Sequence, residues 1–142
     1  TNGTNIWVVD INADKIYKYN MSGGYIDSWD LDIGNSNSRG IATDGTNIWT
    51  VDFNKKVYKY NMAGGYIGYW NLSYAAPDAF GITTNGTNIW VVNDLNDKVC
   101  RHDMVGDCVG YWILTVGNDE PRGIVTNGTN IWVVDSSTDR VY

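Results

Sequence analysis

The chain has 142 residues, a net charge of −6 and a hydrophobic fraction of 43%, which is enough apolar material for a folded core and too much for a disordered chain. A surface that neutralises phosphates needs a basic footprint, so this acidic composition argues against nucleic acid or an anionic membrane as a partner. No apolar run is long enough to span a bilayer as a helix.

Seven Trp and ten Tyr stand against two Phe, and sixteen Gly against two Pro. Amphipathic rings in that excess suit half-buried sheets, and the glycines suit tight turns. The decapeptide TNGTNIWVVD at residues 1–10 recurs letter for letter at 126–135, with near copies at 43–52 and 84–93. The starts lie 42, 41 and 42 residues apart. A period of this size has to be read before any domain is counted.

Residues 1–38 read as three strands, B, C and D, of one repeat. The second repeat, 39–78, is the clearest. A short apolar strand A (40–43) leads into Asp44-Gly45, a pair that favours a two-residue hairpin turn. Thr43 and Thr46 would then face each other across it. Strand B (46–52) carries Ile48 and Trp49, a polar loop (53–56) follows, and strand C covers 57–61. The turn Met62-Ala63-Gly64-Gly65 leads into strand D (66–72). Residues 79–120 repeat the pattern, and 121–142 supply A, B and C.

Both faces of these strands carry large apolar groups, as Ile48 against Trp49 and Val57 against Tyr58, so each sheet should be covered on both sides. No segment holds a 3.6-residue apolar spacing across three turns, which excludes a helical repeat. Four short antiparallel strands per repeat of about 42 residues are the pattern of a β-propeller blade. The expected fold is therefore an all-β propeller, of which the chain supplies roughly three and a half blades. The strand B tryptophans would form seams between blades, each burying about 200 Å² for an upper bound of roughly 5 kcal/mol.

The stretch PRGIVTNGTNIWVVDSSTDRVY (121–142) resembles an NHL-type repeat, with its Pro-Arg-Gly-Ile before strand A, glycine turn, apolar strand ending in Asp, and Arg-Val before strand C. Arg39-Gly40-Ile41 and Phe80-Gly81-Ile82 match the same opening. Lys15-Ile16, Lys56-Val57 and Lys98-Val99 match Arg140-Val141. Tyr replaces the usual strand C Phe, and the Asn-His-Leu tripeptide of the family name is missing. The resemblance implies that the B–C and D–A loops share one face and the A–B and C–D turns the other.

Comparison of the copies places their divergence on the B–C and D–A loops, whereas the A–B and C–D turns hardly vary. Two readings stay open: a binding surface tuned blade by blade, or loops that merely tolerate change. The resemblance also implies that Arg39, Phe80 and Arg122, each just before a strand A glycine, surround the mouth of a central channel. With Asn37, Asp78 and Glu120 beside them they would hold an acidic or sugar-like ligand, or else pair with each other between blades.

Trp29, Trp70 and Trp112 on strand D would either stack on sugars, as in a propeller lectin, or seal the gap to the next blade. Cys100 and Cys108 replace a tyrosine pair on one C–D hairpin. Joint replacement points either to a cross-strand disulfide, and with it an oxidising compartment, or to two small thiols. Asp10, Asn12 and Asp14 form half of a calcium-loop pattern, although Asx-turns explain Asp10, Asp52, Asn93 and Asp135 better. His102, the one histidine, stands in a Tyr position and offers little for a Ser-His-Asp set.

The expected function is a non-enzymatic binding or structural module of a secreted (extracellular or periplasmic) protein. A propeller lectin and a lyase or hydrolase acting in the channel are the alternatives. No cofactor is expected. The partners would be a protein or glycan ligand, and further blades or further copies of the chain to complete the ring.

Overall fold

The computed structural model describes residues 1–72 and 78–142. Its strands are β1 (Asn5–Asp10), β2 (Lys15–Asn20), β3 (Tyr25–Asp30), β4 (Ser38–Thr43), β5 (Asn47–Asp52), β6 (Lys56–Asn61) and β7 (Tyr66–Asn71). They continue as β8 (Ala79–Thr84), β9 (Asn88–Asn93), β10 (Lys98–Asp103), β11 (Cys108–Ile113), β12 (Pro121–Thr126), β13 (Ile131–Asp135) and β14 (Arg140–Val141). All pairing is antiparallel and sequential, in the orders β1-β2-β3, β4-β5-β6-β7, β8-β9-β10-β11 and β12-β13-β14. Each sheet is one blade of a β-propeller. Among the described residues no helix is long and apolar enough to cross a membrane.

The A–B hairpin is wider than a two-residue turn, because Thr43 faces Ile48, not Thr46. Side chains explain the difference. Asp44 Oδ1 accepts from the Thr46 and Asn47 amides at 2.8 Å each, and Thr43 Oγ1 donates to the Asn47 carbonyl at 2.7 Å. An Asx-turn held this way replaces the backbone turn. Asn85 and Asn127 make the same pair of bonds in their own copies.

Strand A lines the axis. Here the blades approach so closely that a Cβ on Gly40 would lie 2.7 Å from the Phe80 carbonyl oxygen, and one on Gly81 would lie 3.0 Å from that of Arg122. Only glycine fits such backbone contact.

Between blades, Trp49, Val51, Ile82, Ile89 and Val91 form one buried cluster, Trp7, Ile16, Ile48, Tyr58 and Tyr60 a second, and Trp90, Val92, Val99 and Val133 a third. At the outer rim Trp29 lies over Gly64 and Trp70 over Gly106, both glycines at positive φ. Those indole faces are occupied by the next blade, which leaves them no open side there for a sugar. Trp112 is 40% exposed.

The cysteines are not opposite each other. A β-bulge between Arg101 and His102 sets Cys108 across from His102 and Cys100 across from Tyr111. The same bulge recurs at Lys18/Tyr19 and Lys59/Tyr60, so the tyrosine pairs at 17/25 and 58/66 are offset too. No disulfide joins Cys100, which is buried, to Cys108, which is exposed. Burial, with Cys108 close by, pushes the Cys100 thiol up to about 11.

Candidate functional site

The blade faces differ in how their loops are held. On the A–B side, Asn2, Asp44, Asn85 and Asn127 surround one concave depression. Their Oδ1 atoms are already committed to their own turns.

On the opposite side, the residue closing strand B pins both loops. Asp52 accepts from the Asn54 amide through Oδ1 and from the Asn37 amide through Oδ2 at 2.9 Å. Asp135 accepts from the Ser137 and Thr138 amides and hydroxyls through Oδ1, and from the Glu120 amide through Oδ2 at 2.8 Å. Burial alone would raise the Asp135 pKa, but the bonds from Glu120, Ser137 and Thr138 outweigh it and hold the carboxyl well below the usual range. The B–C turns reach back in return: the Asp14, Lys55 and Asp97 carbonyls accept from the Leu31, Leu72 and Leu114 amides at 2.7–2.8 Å. Asp14, Lys55 and Asp97, which supply these accepting carbonyls, all sit at positive φ.

The mouth residues rise from this clasp. The register of strand A slips where it starts, between Ser38 and Gly40, between Ala79 and Ile82, and between Pro121 and Gly123. Such bulges re-aim side chains, and the residues affected are Arg39, Phe80 and Arg122. The Arg39 guanidinium lies 5.2 Å from the Phe53 ring centre and 5.3 Å from that of Phe80, which stand edge to face at 6.4 Å. Arg122 covers Phe80 at 4.2 Å. Phe53, Arg39, Phe80 and Arg122 therefore form a continuous ladder across three blades.

The two arginines are not equivalent. Arg122 is neutralised by Asp94 at 2.9 Å and Glu120 at 3.5 Å, and bonds Ser136 at 3.2 Å. Arg39 has no carboxylate partner among the described residues and is exposed. The Asp94 carboxyl is pushed up by burial, pulled down by Arg122, and pushed up again by Glu120, Asp78 and Asp135. Asn37, Asp78 and Glu120 sit beside the ladder, and their carbonyls accept from the Phe53, Asp94 and Ser136 amides at 3.1 Å each. Phe53 and Asp94 escaped the sequence reading as individual residues. The signal was their shared place immediately after strand B.

The remaining candidates lie apart from this mouth. Asp10 Oδ1 is taken by the Asn12 and Ala13 amides at 2.8 and 3.0 Å, and Asp14 has a φ of 50° in the same turn. Among the described residues no three His, Cys, Asp or Glu side chains gather as a metal site would require. His102 is 1% exposed, and its Nδ1 lies 3.2 Å from the Gly106 carbonyl. Burial lowers its pKa. The D–A loop at 73–79 lies outside the described residues over 73–77.

No protein-family model matches the chain, and no curated protein matches it in sequence. Solved structures do match. Virginiamycin B lyase from Staphylococcus aureus aligns with 100% of this chain and 53% of its own at a TM-score of 0.70 and 18% identity. A chain of the nidogen/laminin complex aligns with 98% of this chain and 54% of its own at 0.74 and 23%. Glutaminyl cyclase from Myxococcus xanthus aligns with 100% of this chain and 68% of its own at 0.80 and 11%. The chain thus spans about half the length of the first two. At these identities the likeness establishes the β-propeller fold, which is shared by enzymes and by a component of a protein complex.

Proposed function

We propose that this chain is a non-enzymatic protein-binding module of a secreted or cell-surface protein, built from NHL-like repeats, with its working surface on the B–C and D–A face. One observation carries the reading: the Arg39 guanidinium lies against both the Phe53 and Phe80 rings with no carboxylate partner among the described residues, on the face where the copies diverge. Arginine and aromatic groups held rigidly in this way are what binding hot spots use. Stacking fixes the guanidinium plane, so a partner's carboxylate can meet it with two parallel hydrogen bonds. Arg122, already paired, supports the ladder. His102 is buried inside its blade, so it does not face this surface.

A peptide panel with and without carboxylate side chains tests the reading. Carboxylate peptides should be retained, and Arg39→Gln should weaken them about tenfold or more. Glycan binding indifferent to Arg39→Gln, or turnover of a small substrate at this mouth, would replace the proposal with the lectin or the enzyme reading. We place the chain in a ring completed by further blades or further copies of itself.

A further inference from the structure

The D–A loops diverge between copies at most places and agree at one. Ile33 and Val116 stand two residues after Leu31 and Leu114, and the letter two after Leu72 is Tyr74, which lies outside the described residues. Their neighbours change freely, as Asp32 against Thr115 and Ser36 against Asp119. Ile33 and Val116 are each 98% exposed. One exposed apolar side chain needs no explanation. A bulky apolar or aromatic residue kept at one place in a loop that otherwise varies does.

The turns beneath hold these side chains outward. The Asn35 amide donates to the Asp32 carbonyl at 2.7 Å, and the Asn118 amide to that of Thr115 at 3.0 Å. Each bond closes a β-turn, with Ile33-Gly34 at the centre of one and Val116-Gly117 at the centre of the other. Asn35 and Asn118 are fully buried. A tyrosine hydroxyl of the next blade donates to each central glycine, Tyr58 to the Gly34 carbonyl and Tyr142 to that of Gly117. A Cβ on Gly34 would come to 3.1 Å from the Tyr58 hydroxyl. Each turn is fastened from below, so a partner that covers its tip has little left to order.

We infer, on the Arg39 reading above, that Ile33 and Val116 are the apolar anchors of that surface, and that its partner is a protein segment with one carboxylate set between apolar side chains. The loop of Ile33 runs into β4, which carries Arg39, and the loop of Val116 runs into β12, which carries Arg122. The two tips thus belong to the loops that enter the two ends of the ladder. Charge complementarity selects what lies between them. Arg39 has no carboxylate partner among the described residues, whereas Ile33 follows Asp32, and Asp119 and Glu120 come soon after Val116. A carboxylate is therefore attracted at the centre and repelled at the tips, where apolar side chains meet no such penalty.

Labelled peptides with one central Asp test this, their flanks alternating Leu with Ser, holding Ser alone, or alternating Leu with Asp. The Leu–Ser peptide should bind about tenfold tighter than either of the others. Ile33→Ser and Val116→Ser should each weaken it about threefold or more and leave the all-Ser peptide unmoved. Neither substitution should move the unfolding midpoint, because both side chains lie in solvent. Binding that requires the central Asp but not Leu, or a Leu preference that survives both substitutions, overturns this inference alone. Binding indifferent to Asp against Asn at the centre overturns the Arg39 reading, and this inference with it.

Discussion

The two faces of this propeller are built by opposite strategies. On the A–B and C–D side, each turn hydrogen-bonds to itself: Asn61 Oδ1 holds the Ala63 and Gly65 amides at 2.9 Å, as Asn20 and Asp103 hold theirs. Such turns need no neighbour for their hydrogen bonds, and every copy anchors them on the same kind of residue, Asn or Asp. On the other side, Asp52 and Asp135 grip two loops at once through the backbone. Apart from the Ser137 and Thr138 hydroxyls on Asp135, loop side chains are left out of that grip. They can differ from blade to blade without loosening the scaffold, and this is where Phe53, Arg39, Phe80 and Arg122 meet. Uniformity marks the parts that close on themselves, and variety marks the parts that are held from below.

The sharpest way to break this contrast is at Gly64. A methyl there would meet Trp29 at 2.4 Å in a left-handed conformation, so Gly64→Ala should cost about 3 kcal/mol or more in denaturant unfolding. Gly45→Ala, also left-handed but with open space around it, should cost only about 1 kcal/mol. Equal losses would mean that the rim contact matters less than backbone strain.

On the other face, Asn35→Ala removes three buried side-chain bonds and should cost about 2 kcal/mol. Acid tests the clasp. Because the folded carboxyl of Asp135 is depressed, its contribution is complete above the ordinary carboxylate range near pH 4 and drains away as pH falls below it. A pH series of unfolding midpoints should show that decline, and Asp135→Asn should flatten it. Smallest of all, Lys55→Gly relieves a φ of 67° and should raise stability by about 0.5–1 kcal/mol. A loss instead would show that the Lys55 side chain helps to hold its loop.

Much of the fold was legible because its grammar is local. The repeat period, the four strands per blade and the Asx-turns at Asp10, Asp52, Asn93 and Asp135 depend on neighbours in sequence. What escaped depends on one-residue slips. The bulge at Arg101/His102 moved Cys108 from Cys100 to His102, and the Asx-turn at Asp44 widened a hairpin that its Asp-Gly pair suggested was tight. The mouth was half visible: Arg39, Phe80 and Arg122 shared a repeat position, but the interleaving of Phe53 arises only when strands from adjacent blades are set side by side. Asn35 is satisfied by Ser38 and Thr50, whereas Asn118, with Pro121 and Val133 in their places, has no side-chain hydrogen bond among the described residues. That difference belongs to the partners opposite them, Thr50 and Val133.

The glycines where strand A passes its neighbour have one more consequence. Because a methyl on Gly40 or Gly81 would press to 2.7 or 3.0 Å from the next blade's backbone, its absence sets how closely each blade approaches the one before. A blade made by copying the repeat inherits that approach along with its sequence. Duplication then adds equal steps around one circle, and the circumference is counted in copies of a single residue that has no side chain.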